Sequence, residues 1–328
     1  AEDDARLGRG DAATGEEEAA ARWLVRWAVE LARWFDAAVA TDREPQADAV
    51  LRRELANLRV AWRTARAHGL VDDAAALVAS LFDAVMSRDL VEVRAWAQEL
   101  TDDPALRGRP DAAAVFAGAA YAAYAAGDHD RADALARAGL VEGGAGVPDC
   151  RHALAVTALA RGAYAEVVEH CLAPDVAGAA RHGFFGLAAL ACAYAGDVER
   201  ARELNGRWAA AAAAPSHRAW AAYYEGEIEN RAGRHGGAEQ HYLRAVALGR
   251  SSGDTFVVGF APLPEQDAVA VVFFERISSD GEKLLEARFG DFRTIGEVPF
   301  ASAVTVRTPK AEAILQYGDV TLNPAIDR

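Results

Sequence analysis

The chain has 328 residues, 52% of them hydrophobic, and its 35 basic against 49 acidic side chains give a formal net charge of −14. That apolar content is ample for a core and excludes disorder over most of the length. Neutralising phosphates takes clustered Lys and Arg, and neither residues 1–261 (28 basic, 38 acidic) nor 262–328 (7 basic, 11 acidic) supply them, so direct nucleic-acid binding is disfavoured.

The opening, AEDDARLGRGDAATGEEE, is acidic and polar, unlike a signal peptide, and residues 1–15 read as disordered or linker. The absence of an initiator Met is what a piece of a longer protein, or a processed one, would show. From Glu16 to about Ala40, Trp23, Leu24, Trp27, Leu31, Trp34 and Phe35 recur at helical spacing and predict a long first helix. A helical pair is predicted around Gly69, with LRRELANLRVAWRTARAH before it and ALVASLFDAVM after it.

Downstream the chain repeats. Four segments align, starting at Ala119, Ala155, Gly186 and Tyr223, with turn glycines Gly127, Gly162, Gly196 and Gly233 spaced 35, 34 and 37 residues apart. Seven residues before each turn glycine stand Ala120, Ala155, Ala189 and Gly226, and five after stand Ala132, Val167, Ala201 and Ala238. Small side chains at both points let two helices cross closely, and glycine can take the left-handed geometry that ends the first helix of a pair. The period matches that of tetratricopeptide (TPR) repeats, which stack helical hairpins into a superhelix with a concave inner face. About six pairs are expected.

Candidate contacts for a partner on such a face are aromatic and basic: Tyr121, Tyr124, Trp220 and Tyr224, with Arg151 and Arg181. The same aromatics, and Trp62, Trp96, Trp208 and Tyr223 with them, suit core packing at that spacing, and scattered arginines suit solvated surface. Glu169-His170-Cys171 and Cys150-Arg151-His152 are poor metal sites, because adjacent helical residues diverge by about 100° and cannot converge on one ion. The three cysteines, Cys150, Cys171 and Cys192, have neither CxxC spacing nor a secreted framework and read as buried free thiols. The run Gly143-Gly144-Ala145-Gly146 lacks the strand and lysine of a phosphate loop and reads as a flexible connection.

A compositional seam follows. Residues 1–261 hold no lysine and one isoleucine, Ile228, whereas residues 262–328 hold Lys283, Lys310 and four isoleucines. The boundary is placed at Pro262-Leu263-Pro264, after a segment, DTFVVGFA, that resembles the start of another first helix. Beyond it, AVAVVFFERI at 268–277 predicts a strand, SSDG a turn, Val298–Arg307 a second strand and Lys310–Tyr317 a helix capped by Thr308-Pro309. No His or Cys follows residue 261.

The stretch AVLRRELANLRVAWRTARAHGLVDDAAALVASL, residues 49–81, resembles the opening helix, E-x-[DN]-N-[LVI]-R-A-A-x-x-W-A, of the repeat domain that follows the nucleotide-binding module in large actinobacterial regulators. These are signal-transduction (STAND) ATPases of the antibiotic-regulatory-protein, LuxR and cyclase-linked types. Glu54, Asn57, Leu58 and Arg59 occupy matching positions, and RSSGDTFVVGFA is typical of the group. The resemblance spans about residues 16–261 and implies a sensor or autoinhibitory domain restraining an ATPase and an output domain. No P-loop, Walker B strand or helix-turn-helix is present, so neither nucleotide hydrolysis nor DNA binding carries over.

The expectation is therefore an all-α, TPR-like α-solenoid over residues 16–261 with a small α+β segment at 262–328. It is non-enzymatic, without cofactor or metal, cytoplasmic and off the membrane, and it binds a protein partner, attached regulator domains or a small ligand. The alternative makes the array a scaffold for a C-terminal binding or catalytic domain.

Overall fold

The computed structural model describes residues 2–87, 90–178, 183–252, 256–263, 268–277, 283–295 and 298–318. Among these lie thirteen α-helices followed by five β-strands, and the chain divides into two compact units, Ala1–Arg161 with Ala173–His182, and Gly162–Leu172 with Gly183–Arg328.

The first unit holds α1 (Glu2–Val39), α2 (Glu44–Ala67), α3 (Val71–Ser80), α4 (Phe82–Ser87), α5 (Val91–Thr101), α6 (Ala112–Ala125), α7 (His129–Glu142) and α8 (Val147–Ala160). The second holds α9 (Tyr164–Cys171), α10 (Phe184–Tyr194), α11 (Val198–Ala211), α12 (Pro215–Arg231) and α13 (His235–Ser252), then β1 (Phe256–Leu263), β2 (Ala268–Ile277), β3 (Lys283–Ile295), β4 (Val298–Thr308) and β5 (Ala311–Gln316). Within each unit a helix packs on its chain neighbour and often on the next but one, as α6 does on α7 and α8, and α10 on α11 and α12.

The turns between paired helices follow the glycine pattern. Gly69, Gly127, Gly162, Gly196 and Gly233 all have positive φ, between 64° and 89°. At Gly127 the amide donates to the Tyr124 carbonyl at 2.9 Å and the Asp128 amide to the Ala123 carbonyl at 3.0 Å, the paired bonds of a Schellman ending. The same two bonds recur at Gly69, Gly196 and Gly233. Asp128 and Asp197 then cap the next helix, each side chain accepting from a backbone amide, of Arg131 and Arg200, at 3.1 and 3.2 Å. One Gly-Asp dipeptide thus closes one helix and opens another.

The small positions are buried throughout: Ala120, Ala155, Ala189, Ala132, Val167, Ala201 and Ala238 are at most 1% exposed. Gly226 shows why size matters there, since a Cβ on it would lie 2.5 Å from the Tyr242 ring. In the first unit, contacts also recur one period apart. Trp62 stacks on Trp96 with centroids 5.2 Å apart, Arg59 pairs with Glu92, and Arg66 reaches Glu99 at 2.9 Å and Asp103 at 2.8 Å. Of the residues carrying the family resemblance, Leu58 is buried, Asn57 donates to Glu54 at 2.8 Å, and Arg59 makes the ion pair just named.

Several expectations are corrected. The first helix runs through residues 2–15 rather than starting at Glu16, and its buried stripe is Val25, Ala28, Val29, Ala32, Phe35, Ala38 and Val39, whereas Trp23 is 62% exposed. Apart from Phe35 that stripe is Ala and Val, small side chains that let α1 approach α2 and α3 closely. The predicted helix ALVASLFDAVM breaks at Leu81 into α3 and α4. The glycine run at 143–146 holds a 3-10 turn, Gly144–Gly146, with Gly146 so close to α6 that a Cβ would sit 2.2 Å from the Ala114 nitrogen.

The tail differs most. DTFVVGFA opens no helix: α13 ends at Ser252 and Phe256–Leu263 is a strand. All five strands form one antiparallel sheet in the order β1-β2-β3-β4-β5, beside α13. The two expected strands are β2 and β4, and SSDG at 278–281 lies outside the described residues. Lys310–Tyr317 is not helical. Thr308 Oγ1 accepts from the Lys310 and Ala311 amides at 3.3 and 3.0 Å, which closes a two-residue hairpin turn, and Glu312 of β5 lies opposite Arg307 of β4. A Thr-Pro signal serves a turn as readily as a helix start, and cross-strand pairing decided it.

Candidate partner-binding surface

On α12 the residues Trp220, Tyr223, Tyr224 and Glu227 stand at i, i+3, i+4 and i+7, one face of the helix. The three rings form a near-equilateral cluster, with centroids 5.6 Å apart for Trp220–Tyr223, 5.8 Å for Trp220–Tyr224 and 5.6 Å for Tyr223–Tyr224. Trp220 is 46% exposed, and the two tyrosines are half-buried.

Beneath them Glu227 is buried and shared between neighbouring helices. Tyr194, the last residue of α10, donates its hydroxyl to Glu227 Oε2 at 2.8 Å, and Tyr242 of α13 donates to Oε1 at 2.6 Å. Tyr164 of α9 meets the Tyr194 ring at 5.7 Å, and the Arg231 guanidinium lies 4.6 Å over that same ring. Two glycines make room for this crowd: Gly226 admits Tyr242, and a Cβ on Gly186 of α10 would stand 2.6 Å from Tyr224 and 2.8 Å from Trp208. Burial, and then the negative charge of Glu227, push the Tyr194, Tyr223 and Tyr242 phenols well above the usual tyrosine range, and burial does the same for Tyr224. They hold their protons at any ordinary pH, and Tyr194 and Tyr242 donate theirs to Glu227. Rings packed this closely present apolar area and polar tips with little conformational freedom left to lose.

Of the residues picked from sequence, Trp220 and Tyr224 fall in this cluster. Tyr121 and Tyr124 touch each other in the first unit, at 5.7 Å, but Tyr121 is only 9% exposed. It packs edge-on to Phe82 and its hydroxyl stands 3.3 Å from His152 Nδ1, a core position out of a partner's reach. Arg151 is half-buried and pairs with Asp175 at 2.9 Å. Arg181 lies outside the described residues. Glu227, Tyr194 and Tyr242 were not singled out from the sequence. The available signal was that Tyr194 precedes Glu227 by 33 residues, close to one repeat.

Cys150, Cys171 and Cys192 are buried, and burial pushes each thiol up, which leaves them unreactive. Among the described residues no three His, Cys, Asp or Glu side chains are grouped to hold a metal, and no helix is long and apolar enough to cross a membrane. Comparison of the chain with protein-family models, with curated proteins and with solved structures gives no match.

Proposed function

We propose that the chain is a non-enzymatic interaction or sensor module of the TPR type, whose helical hairpins stack as a solenoid and whose first helices carry a partner-binding face. The observation that supports this reading most is the ring cluster on α12: an exposed tryptophan in ring contact with Tyr223 and Tyr224, with Tyr223 lying against Tyr242, whose hydroxyl is bonded to the buried Glu227. Trp and Tyr are among the residues enriched at interface hot spots. The recurrence of left-handed turn glycines and buried small residues supports the stacked-hairpin reading. The resemblance at residues 49–81 supports a role in restraining an attached or associated signalling ATPase or transcriptional regulator, and with it a cytoplasmic setting.

The test is calorimetry of the full chain, wild type and Trp220→Ala, against a protein partner recovered with the wild-type chain from its native cells. Truncating a hot-spot tryptophan costs at least 2 kcal/mol, about a thirtyfold loss in affinity. Equal affinity for the two forms would remove α12 from the interface. The second reading, with the array as scaffold for the sheet, draws on the close packing of α13 against β1. Deleting residues from Phe256 onward discriminates between them: partner binding that survives the deletion overturns the scaffold reading.

A further inference from the structure

The sheet ends in an edge strand of uncommon exposure. Every residue of β5 is solvent-exposed, including Ile314 at 63% and Leu315 at 49%, and among the described residues β4 is its one neighbour in the sheet order. Exposed apolar edges of this kind are templates for pairing unless charge, proline or a bulge blocks them, and Ala311–Gln316 contains no proline and one charge, Glu312.

The hydrogen-bond phase of β5 is fixed by the hairpin. The Tyr317 amide donates to the Ser302 carbonyl at 2.8 Å, and Thr308 lies opposite Ala311 at the turn. Because antiparallel bonding alternates along a strand, Ala311, Ala313, Leu315 and Tyr317 turn their backbone groups inward to β4. Glu312, Ile314 and Gln316 turn theirs outward.

We infer that β5 pairs with β5 of a second copy of this chain, antiparallel about a two-fold axis at Ile314, joining the two sheets into one. Outward groups must meet outward groups, and among such registers the one centred on Ile314 gives the longest overlap. It sets Ile314 against Ile314 of the second copy, Glu312 against Gln316, Ala313 against Leu315 and Ala311 against Tyr317. The sequence AEAILQY is self-complementary in that register: apolar residues meet apolar ones, each carboxylate meets an amide, and no like charges oppose. Glu312 is also held by Arg307 across the hairpin at 2.9 Å, which fixes its side chain on the face where Gln316 of the second copy would arrive. A two-fold contact of this kind is isologous and closes at two chains.

The experiment is light scattering on the full chain at roughly 50 μM, a concentration suited to a small interface, with circular dichroism to confirm folding of each variant. Wild type is expected at twice the 34.8 kDa chain mass. Ile314→Pro removes an outward amide while leaving the β4 ladder its own, so it should give the single-chain mass. Gln316→Glu opposes two carboxylates at both ends of the pair and should weaken dimerisation about tenfold, and adding Glu312→Gln should restore it. A wild-type chain that stays single overturns the proposal. So does a dimer indifferent to Ile314→Pro, or a Gln316→Glu defect that the double substitution fails to rescue.

Discussion

The Tyr242 hydroxyl stands 2.6 Å from Glu227 Oε1, and this bond from α13 to α12 is matched by the 2.8 Å bond from Tyr194 to the other oxygen. A buried carboxylate is tolerated when its lone pairs are taken, and costs the full desolvation penalty when a donor is withdrawn. Tyr242→Phe is therefore expected to destabilise the chain by about 1–3 kcal/mol, more than the exposed substitution Trp220→Ala does. Chemical denaturation followed by circular dichroism compares the two. A Tyr242→Phe midpoint equal to that of wild type would remove the carboxylate from the account.

Two helical glycines should respond in opposite directions to the same change. Gly226→Ala drives a Cβ into the Tyr242 ring, which is itself held by Glu227, and a loss of about 1–3 kcal/mol follows from overpacking. Gly206, inside α11, has nothing within 4 Å of a Cβ, and Gly206→Ala should gain up to about 1 kcal/mol in helix propensity. Thermal denaturation of the pair gives both signs.

The Gly-Asp turns predict an equal cost at two distant places. Asp128→Ala and Asp197→Ala each remove the side-chain acceptor of a helix start, worth about 0.5–2 kcal/mol. Asn at either position keeps the acceptor and should restore most of the loss. Urea midpoints of the four variants measure it.

High pH should weaken the fold through the tyrosine cluster. A phenol whose folded pKa is raised contributes stability that is fully present below its unfolded value of about 10 and is lost as pH climbs through the folded one. Above pH 10 the unfolded chain releases protons that the buried cluster keeps, and Tyr242 alone removes up to about 1.4 kcal/mol per pH unit. Urea midpoints between pH 9 and 11 should fall steeply, and less so in Tyr242→Phe; a slope unchanged by that substitution would contradict the assignment.

What the sequence disclosed of the fold is the part that rests on local chemistry. Glycine at a left-handed turn and alanine at a crossing leave marks at fixed offsets, so Gly127, Gly196 and Gly233 could be placed without coordinates. The first helix misled because its tryptophans are more conspicuous than Ala28 and Ala32, although close packing favours the alanines. Thr308-Pro309 carried two meanings, and only the pairing of β5 with Val304 and Val306 selects between them. The Glu227 cluster was hidden for a different reason: its donors come from α10 and α13, and burial of a carboxylate is a tertiary property that no spacing along α12 announces.

On the proposed function a partner sits on the rings of α12. A photo-crosslinking amino acid placed at Trp220, and in a control chain at the exposed Val141 of α7, tests it in the native cell extract. One dominant adduct is expected from position 220, absent from position 141 and competed away by wild-type chain. Identical adducts from both positions, or none from 220, would contradict it.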